Sequence, residues 1–142
     1  MPRTFCLLNH QLTRKQIEEL ETVFCSEEVI CPDQELSAMW SQINPEDDRD
    51  EVAGKVVAWL KTARKGDCLL VQGEFGTTFK LVDYALKNGL VPIYATTKRV
   101  AKEVRDGERI HREYIFEHVC FKKYEYFRNE MRAENGIDLH FV

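Results

Sequence analysis

No stretch of this sequence approaches the ~20 consecutive apolar residues that a membrane-spanning helix needs, so no membrane partner is expected. Cysteine is present but not in pairs. The five residues Cys6, Cys25, Cys31, Cys68 and Cys120 are odd in number and include no CxxC. That pattern argues against a zinc ribbon or a disulfide framework, and no metal site is expected. Positive charge is not in excess. A formal net charge of -4 excludes a broad basic face for duplex nucleic acid, though not a local basic pocket. The Walker ending GK[ST] and the dinucleotide fingerprint GxGxxG are both missing. There are no repeats, low-complexity segments or flexible linkers. The apolar run near Met1 is interrupted at Asn9, His10 and Gln11, too early for a signal peptide, so a cytoplasmic protein is expected.

What is present is the composition of one globular unit. At 142 residues the chain suits a single domain over 1–142, with a core of ordinary size. Thr4 to Leu8 forms a short buried strand. Thr13 and Gln16 make a capping box for a helix with Ile17, Leu20 and Phe24 on one face. Glu28 to Cys31 is a second strand stopped by Pro32. Strand, helix, strand in so short a span is a βαβ unit with parallel pairing. Leu36 to Ile43 is a short helix, and a second starts near Asp50 and carries Val52, Val56, Trp59 and Leu60. Cys68 to Val71 is an unbroken apolar strand, expected to be central. A helix from about Thr77 to Lys87 is expected to bury Phe79, Val82, Leu86 and Tyr84. Leu90 to Ala95 is the next parallel strand.

Beyond Arg99 the pattern changes. Val100 to Arg105 and Glu108 to Phe116 flank Asp106-Gly107, a hairpin signal, and Val119 to Phe121 adds another short strand. The expected fold is therefore α/β, with a parallel core over about 4–99 and an antiparallel hairpin extension and charged tail over about 100–142. Glu125 to Asn135 reads as a charged helix and Leu139 to Val142 as an apolar end.

Ligands of open parallel sheets bind outside the carboxyl ends of the strands. Three such ends are legible: Asn9-His10-Gln11, Gln72 to Thr78, and Thr96-Thr97-Lys98-Arg99. In the second, Gly73 and Gly76 let the backbone approach a ligand. Glu74, Phe75 and Thr77 complete the turn, and a helix start favours an anion. A plain strand-to-helix turn would use the same residues. Lys98 and Arg99 offer a point charge and a planar fork for phosphate, or else a solvated start to the hairpin. His10 is the one histidine at a parallel strand end. It is placed either for proton transfer or to hydrogen-bond its own turn. Trp40 is either a stacking surface for a base or a core residue.

The runs LLNHQLT, MWSQINP, LLVQGEFGTTFKLVDYALKNGLVPIYATTKR and FEHVCFKKY keep an order and spacing that resemble the small CRISPR-associated Csx family numbered twenty, found with type III systems. The resemblance spans roughly residues 4–124. It implies a Rossmann-like fold related to CARF domains. It further implies a homodimeric ring nuclease that linearises cyclic tetra-adenylate without metal or other cofactor and so ends second-messenger signalling in antiviral defence. On that reading His10, Lys98 and Arg99 are the catalytic candidates. Asn9, Gln72, Gly73, Glu74, Phe75, Gly76, Thr77, Thr96, Thr97 and Trp40 are the ligand-binding ones. The alternatives are a non-catalytic sensor or sponge for the same ligand, a small enzyme acting on a mononucleotide, and an interaction protein.

Overall fold

A computed structural model describes residues 1–129. β1 (Thr4–Leu7) is buried along its length. α1 (Arg14–Thr22) begins with the expected box: Thr13 Oγ1 accepts the Gln16 N–H, and the Gln16 side chain accepts the Thr13 N–H. β2 (Val29–Ile30) pairs parallel to β1, with Phe5 opposite Ile30, which completes the βαβ unit. α2 (Gln34–Ser41) and α3 (Arg49–Trp59) start on the carboxylates of Asp33 and Asp48. Both starts lie ahead of the first apolar residue, so periodicity alone places them late.

β3 (Cys68–Val71), α4 (Phe75–Lys87), β4 (Val91–Asp106) and β5 (Arg109–Lys123) follow. The strand order is β2-β1-β3-β4-β5. The first four are parallel and β5 is antiparallel to β4. β3 is the central strand, as expected.

Strand side chains alternate between two faces, and the core divides accordingly. Phe5, Leu7, Leu69 and Val71 face α2, α3 and α4, where they pack with Trp40, Val56, Leu81 and Ala85. Cys6, Leu8, Leu70 and Ile93 face α1 and pack with Leu20 and Phe121. Away from the carboxyl ends, the buried Asp67 closes the opposite edge: it accepts N–H bonds from Arg3 and Arg64 and pairs with the Arg3 guanidinium at 3.0 Å.

Three expectations need correction. α4 buries Thr77, Leu81 and Ala85 instead of Phe79, which is 74% exposed. At 3.6 residues per turn Phe79 stands about 200° around the helix from both Thr77 and Leu81, so burying those two turns Phe79 to solvent. Thr96 to Arg99 is not a break: β4 runs through it, and β4 and β5 form one continuous ribbon with an irregularity only at Thr96/Thr97. Two β-branched threonines favour continuing the strand there. The ribbon turns at Gly107-Glu108, with Asp106 opposite Arg109 and Gly107 at φ +63°, the sign a two-residue turn needs at its first position. Residues 124–129 carry no helix; the rest of the expected tail helix and the Leu139 to Val142 end lie outside the described residues. Among the described residues no helix is long and apolar enough to cross a membrane.

Candidate functional site

The chain leaves β1 toward β2 on one side and leaves β3 toward β4 on the other. The carboxyl ends of β1 and β3 therefore flank the point where the winding reverses, which is where open α/β sheets bind ligands. Asn9, His10 and Gln11 follow β1, and Gln72 and Gly73 follow β3. A cavity of about 550 Å³ opens at the ends of β1 and β2, lined by Leu8, Asn9, His10, Gln11, Cys31 and Ser37 among others. Its size and its mixture of apolar floor and polar rim suit a small organic ligand.

His10 is exposed, and its Nδ1 lies 3.0 Å from the Gln11 carbonyl. A carbonyl can only accept, so Nδ1 carries the hydrogen, and the neutral ring holds its lone pair on Nε2. That is the tautomer a proton acceptor needs.

Gln72 is a joint. Its backbone N–H donates to the Leu7 carbonyl, its carbonyl accepts the Trp40 indole N–H at 2.9 Å, and its side-chain oxygen accepts the Ala95 N–H at 2.8 Å. It ties β1, α2, β3 and β4 together at the rim. Trp40 is 1% exposed, so it is a core residue and offers no stacking face to a base. Gly73 lies directly on its indole.

The start of α4 is not the open anion cradle expected from Gly73 to Thr77. The Glu74 carboxylate fills it, accepting the N–H groups of Gly76 and Thr77 and the Thr77 hydroxyl at 2.7–3.1 Å. Arg49 pairs with the same carboxylate at 3.0 Å. Desolvation opposes the charge on Glu74, but these donors outweigh it and hold the group below the usual carboxylate range. Thr77 is fully buried beneath it. A helix N-terminus already neutralised by its own chain has little left for a phosphate.

Lys98 and Arg99 are successive residues of β4 and so project from opposite faces of the ribbon. Arg99 lies over the Tyr114 ring, 4.3 Å from its centroid. One chain therefore does not bring both cations to one phosphate. Thr96 donates to the Cys120 carbonyl across the bulge, and Thr97 is exposed.

One exposed aromatic beside the rim, Phe79, lies outside the expected site residues. Phe75 is 91% exposed and Phe79 74%, and they stand one helical turn apart at the start of α4. Phe75 is among the expected ligand-binding residues, whereas the spacing of Phe79 with Val82 and Leu86 predicts a core position for it. Its neighbour Phe75 opening the helix is the signal that would have placed it outside. His118 has a structural role. Its Nε2 lies 2.7 Å from Glu19 on α1, Gln16 donates to its Nδ1, and Glu19 also accepts the Phe121 N–H. This cluster fastens the base of the ribbon to α1.

Fold and rim together define a mixed α/β protein with a parallel-dominated sheet, a candidate ligand site at its carboxyl edge and a long antiparallel ribbon beside it. The family model described as "Uncharacterized protein MJ1673 family" matches residues 2–122, and the chain belongs to that family. It is similar to the Methanocaldococcus jannaschii protein named "Uncharacterized protein MJ1673", at 39% identity over 126 residues, covering 87% of this chain and 98% of that one. No solved structure matches.

Proposed function

We propose that the protein is a Rossmann-like, CARF-related ring nuclease: a cytoplasmic homodimer that binds cyclic tetra-adenylate at the carboxyl edge of its sheet and opens the ring. The observation that carries this reading is the cavity beside His10 at the β1 and β2 ends, next to the β1/β3 reversal point. The resemblance of the rim segments to the type III CRISPR-associated family supplies the ligand.

In the proposed step a ribose 2′-oxygen bonds to the adjacent phosphorus while the bond from phosphorus to the 5′-oxygen breaks. The 2′-hydroxyl proton passes to His10 Nε2, and the departing 5′-oxygen takes up a proton. The products end in a 2′,3′-cyclic phosphate and a 5′-hydroxyl. No water enters the bond-breaking step, so the protein's task is in-line geometry and charge stabilisation. Asn9 and the Gln72 amide position the ribose. Phe75 and Phe79 replace Trp40 as stacking surfaces for adenine. Lys98 is assigned to the phosphate, since Arg99 is engaged with Tyr114.

One observation favours a second reading, a sponge that binds without cutting. The α4 N-terminus, which would otherwise stabilise developing charge, is closed by Glu74. Calorimetric titration combined with product analysis separates the two. The nuclease reading expects His10→Ala to keep binding and lose turnover. Tight binding without turnover in the unaltered protein establishes the sponge.

A further inference from the structure

The β4–β5 ribbon outruns the sheet. Parallel pairing of β4 to β3 ends at Ile93, whereas pairing to β5 continues to Asp106. Alternation sorts the side chains of the outer ribbon onto two faces, and the two differ in charge.

On one face every charge is matched across the strands. Lys98 stands opposite Glu117, Lys102 opposite Glu113 and Asp106 opposite Arg109. The other face continues outward from Thr97 and His118, on the side of α1. There Arg99 stands opposite Phe116, Ala101 opposite Tyr114, Glu103 opposite Arg112 and Arg105 opposite Ile110. Three arginines against one carboxylate give this face a charge of +2, on a chain whose total is -4. Arg99 and Arg105 have a ring and an aliphatic side chain opposite them where the first face has carboxylates. The three arginines and both rings are exposed, Phe116 to 67%. Arg99 lies over the Tyr114 ring. That contact leaves the guanidinium N–H donors for a phosphate.

We infer that this face binds single-stranded RNA, with its arginines on the phosphates and Phe116 and Tyr114 under unstacked bases. Positive charge interleaved with exposed rings is the chemistry that tracks a single strand without regard to sequence. A duplex hides its base faces from such rings, and an acidic protein surface would engage the arginines but not the rings. Side chains on one face of a strand recur every ~6.8 Å, so Arg99 to Arg105 covers about 20 Å, room for a few nucleotides. The inference stands apart from ring cleavage, because this face uses none of the residues assigned to the ring.

The test is fluorescence anisotropy of the full chain with a labelled oligouridylate of about 20 nucleotides. It has no adenine, so failed RNA binding and failed ring cleavage are read separately. Saturable binding is expected, with a slope of log affinity against log salt near about -2 for three arginines, reduced in magnitude by about 0.7 in Arg105→Gln. Phe116→Ala is expected to weaken binding at least about fivefold, with the circular-dichroism signal retained. Ile115→Ala, on the charge-matched face, is expected to change it less than about twofold. Excess cyclic tetra-adenylate and poly-glutamate are expected not to displace the strand. As a check that does not depend on substitution, photocrosslinking of a 4-thiouridine strand to the unaltered protein is expected to label the peptide that holds Tyr114 and Phe116. No binding, displacement by either competitor, equal losses in Phe116→Ala and Ile115→Ala, or a crosslink confined to other segments would overturn the inference. So would a Phe116-dependent attachment to phosphatidylserine vesicles, which marks a membrane surface, or loss of a dimer in Phe116→Ala by sedimentation velocity, which marks a contact between copies.

Discussion

The Trp40 indole occupies the space that a side chain on Gly73 would need: a β-carbon built there stands 2.7 Å from three indole atoms. The indole cannot retreat, because its N–H is held by the Gln72 carbonyl and the ring is buried in the core. Gly73→Ala is therefore expected to destabilise the protein by about 1–3 kcal/mol through overpacking. Urea unfolding measures it; an unchanged midpoint would mean that this joint is loose.

Phe75→Ala and Phe79→Ala are expected to act on the ligand and not on the fold. Both rings are exposed, so stability is expected to change by less than about 0.5 kcal/mol. If each ring stacks on a base, each loss weakens binding of cyclic tetra-adenylate by about 1–3 kcal/mol. Calorimetry reads the affinity and thermal melting reads the fold.

Two carboxylates make the protein acid-sensitive. Burial of Asp67 raises its pKa, but N–H groups of Arg64 and Arg3 and the Arg3 guanidinium outweigh it and leave the group depressed. Glu74 is depressed in the same way by the α4 N-terminus. A depressed carboxyl contributes stability above its unfolded pKa, about 4, and loses it as pH falls through the folded value. Stability is expected to decline below about pH 4, with a shallower acid limb in Asp67→Asn and Glu74→Gln. Parallel acid limbs in all three proteins would contradict this.

Thiol reactivity is expected to divide by place in the fold. Burial, with the Cys31 thiol beside it, pushes Cys6 up to about 12. Cys68 is also buried, and burial raises it. Cys25 and Cys31 are exposed. A thiol-disulfide reagent is expected to modify Cys25 and Cys31 rapidly at neutral pH, and Cys6 and Cys68 only on unfolding. Peptide mapping by mass identifies them.

The parallel core was legible because its signals are local. Thr13 and Gln16 announce a helix start, and Cys68 to Val71 is apolar on both faces, as a central strand must be. The ribbon was only half legible. Asp106-Gly107 marks a turn, but nothing local tells whether Thr96 to Arg99 interrupts β4 or continues it, because that is settled by partners about twenty residues later on β5. Two of the three expected rim segments follow strand ends, Asn9 to Gln11 after β1 and Gln72 to Thr78 after β3, whereas Thr96 to Arg99 lies inside β4, and the roles within the rim depend on three-dimensional partners. Glu74 reads as a loop residue until Arg49 and the Thr77 N–H meet it, and Trp40 reads equally as a stacking surface or a core residue until Gly73 covers it.

The most direct test of the central claim is incubation of the purified full chain with cyclic tetra-adenylate in EDTA, followed by chromatography of the products. Linear adenylates ending in 2′,3′-cyclic phosphate, formed by the unaltered protein and lost in His10→Ala, are the predicted result. A ring that stays intact with the unaltered protein, or full turnover by His10→Ala, would contradict it.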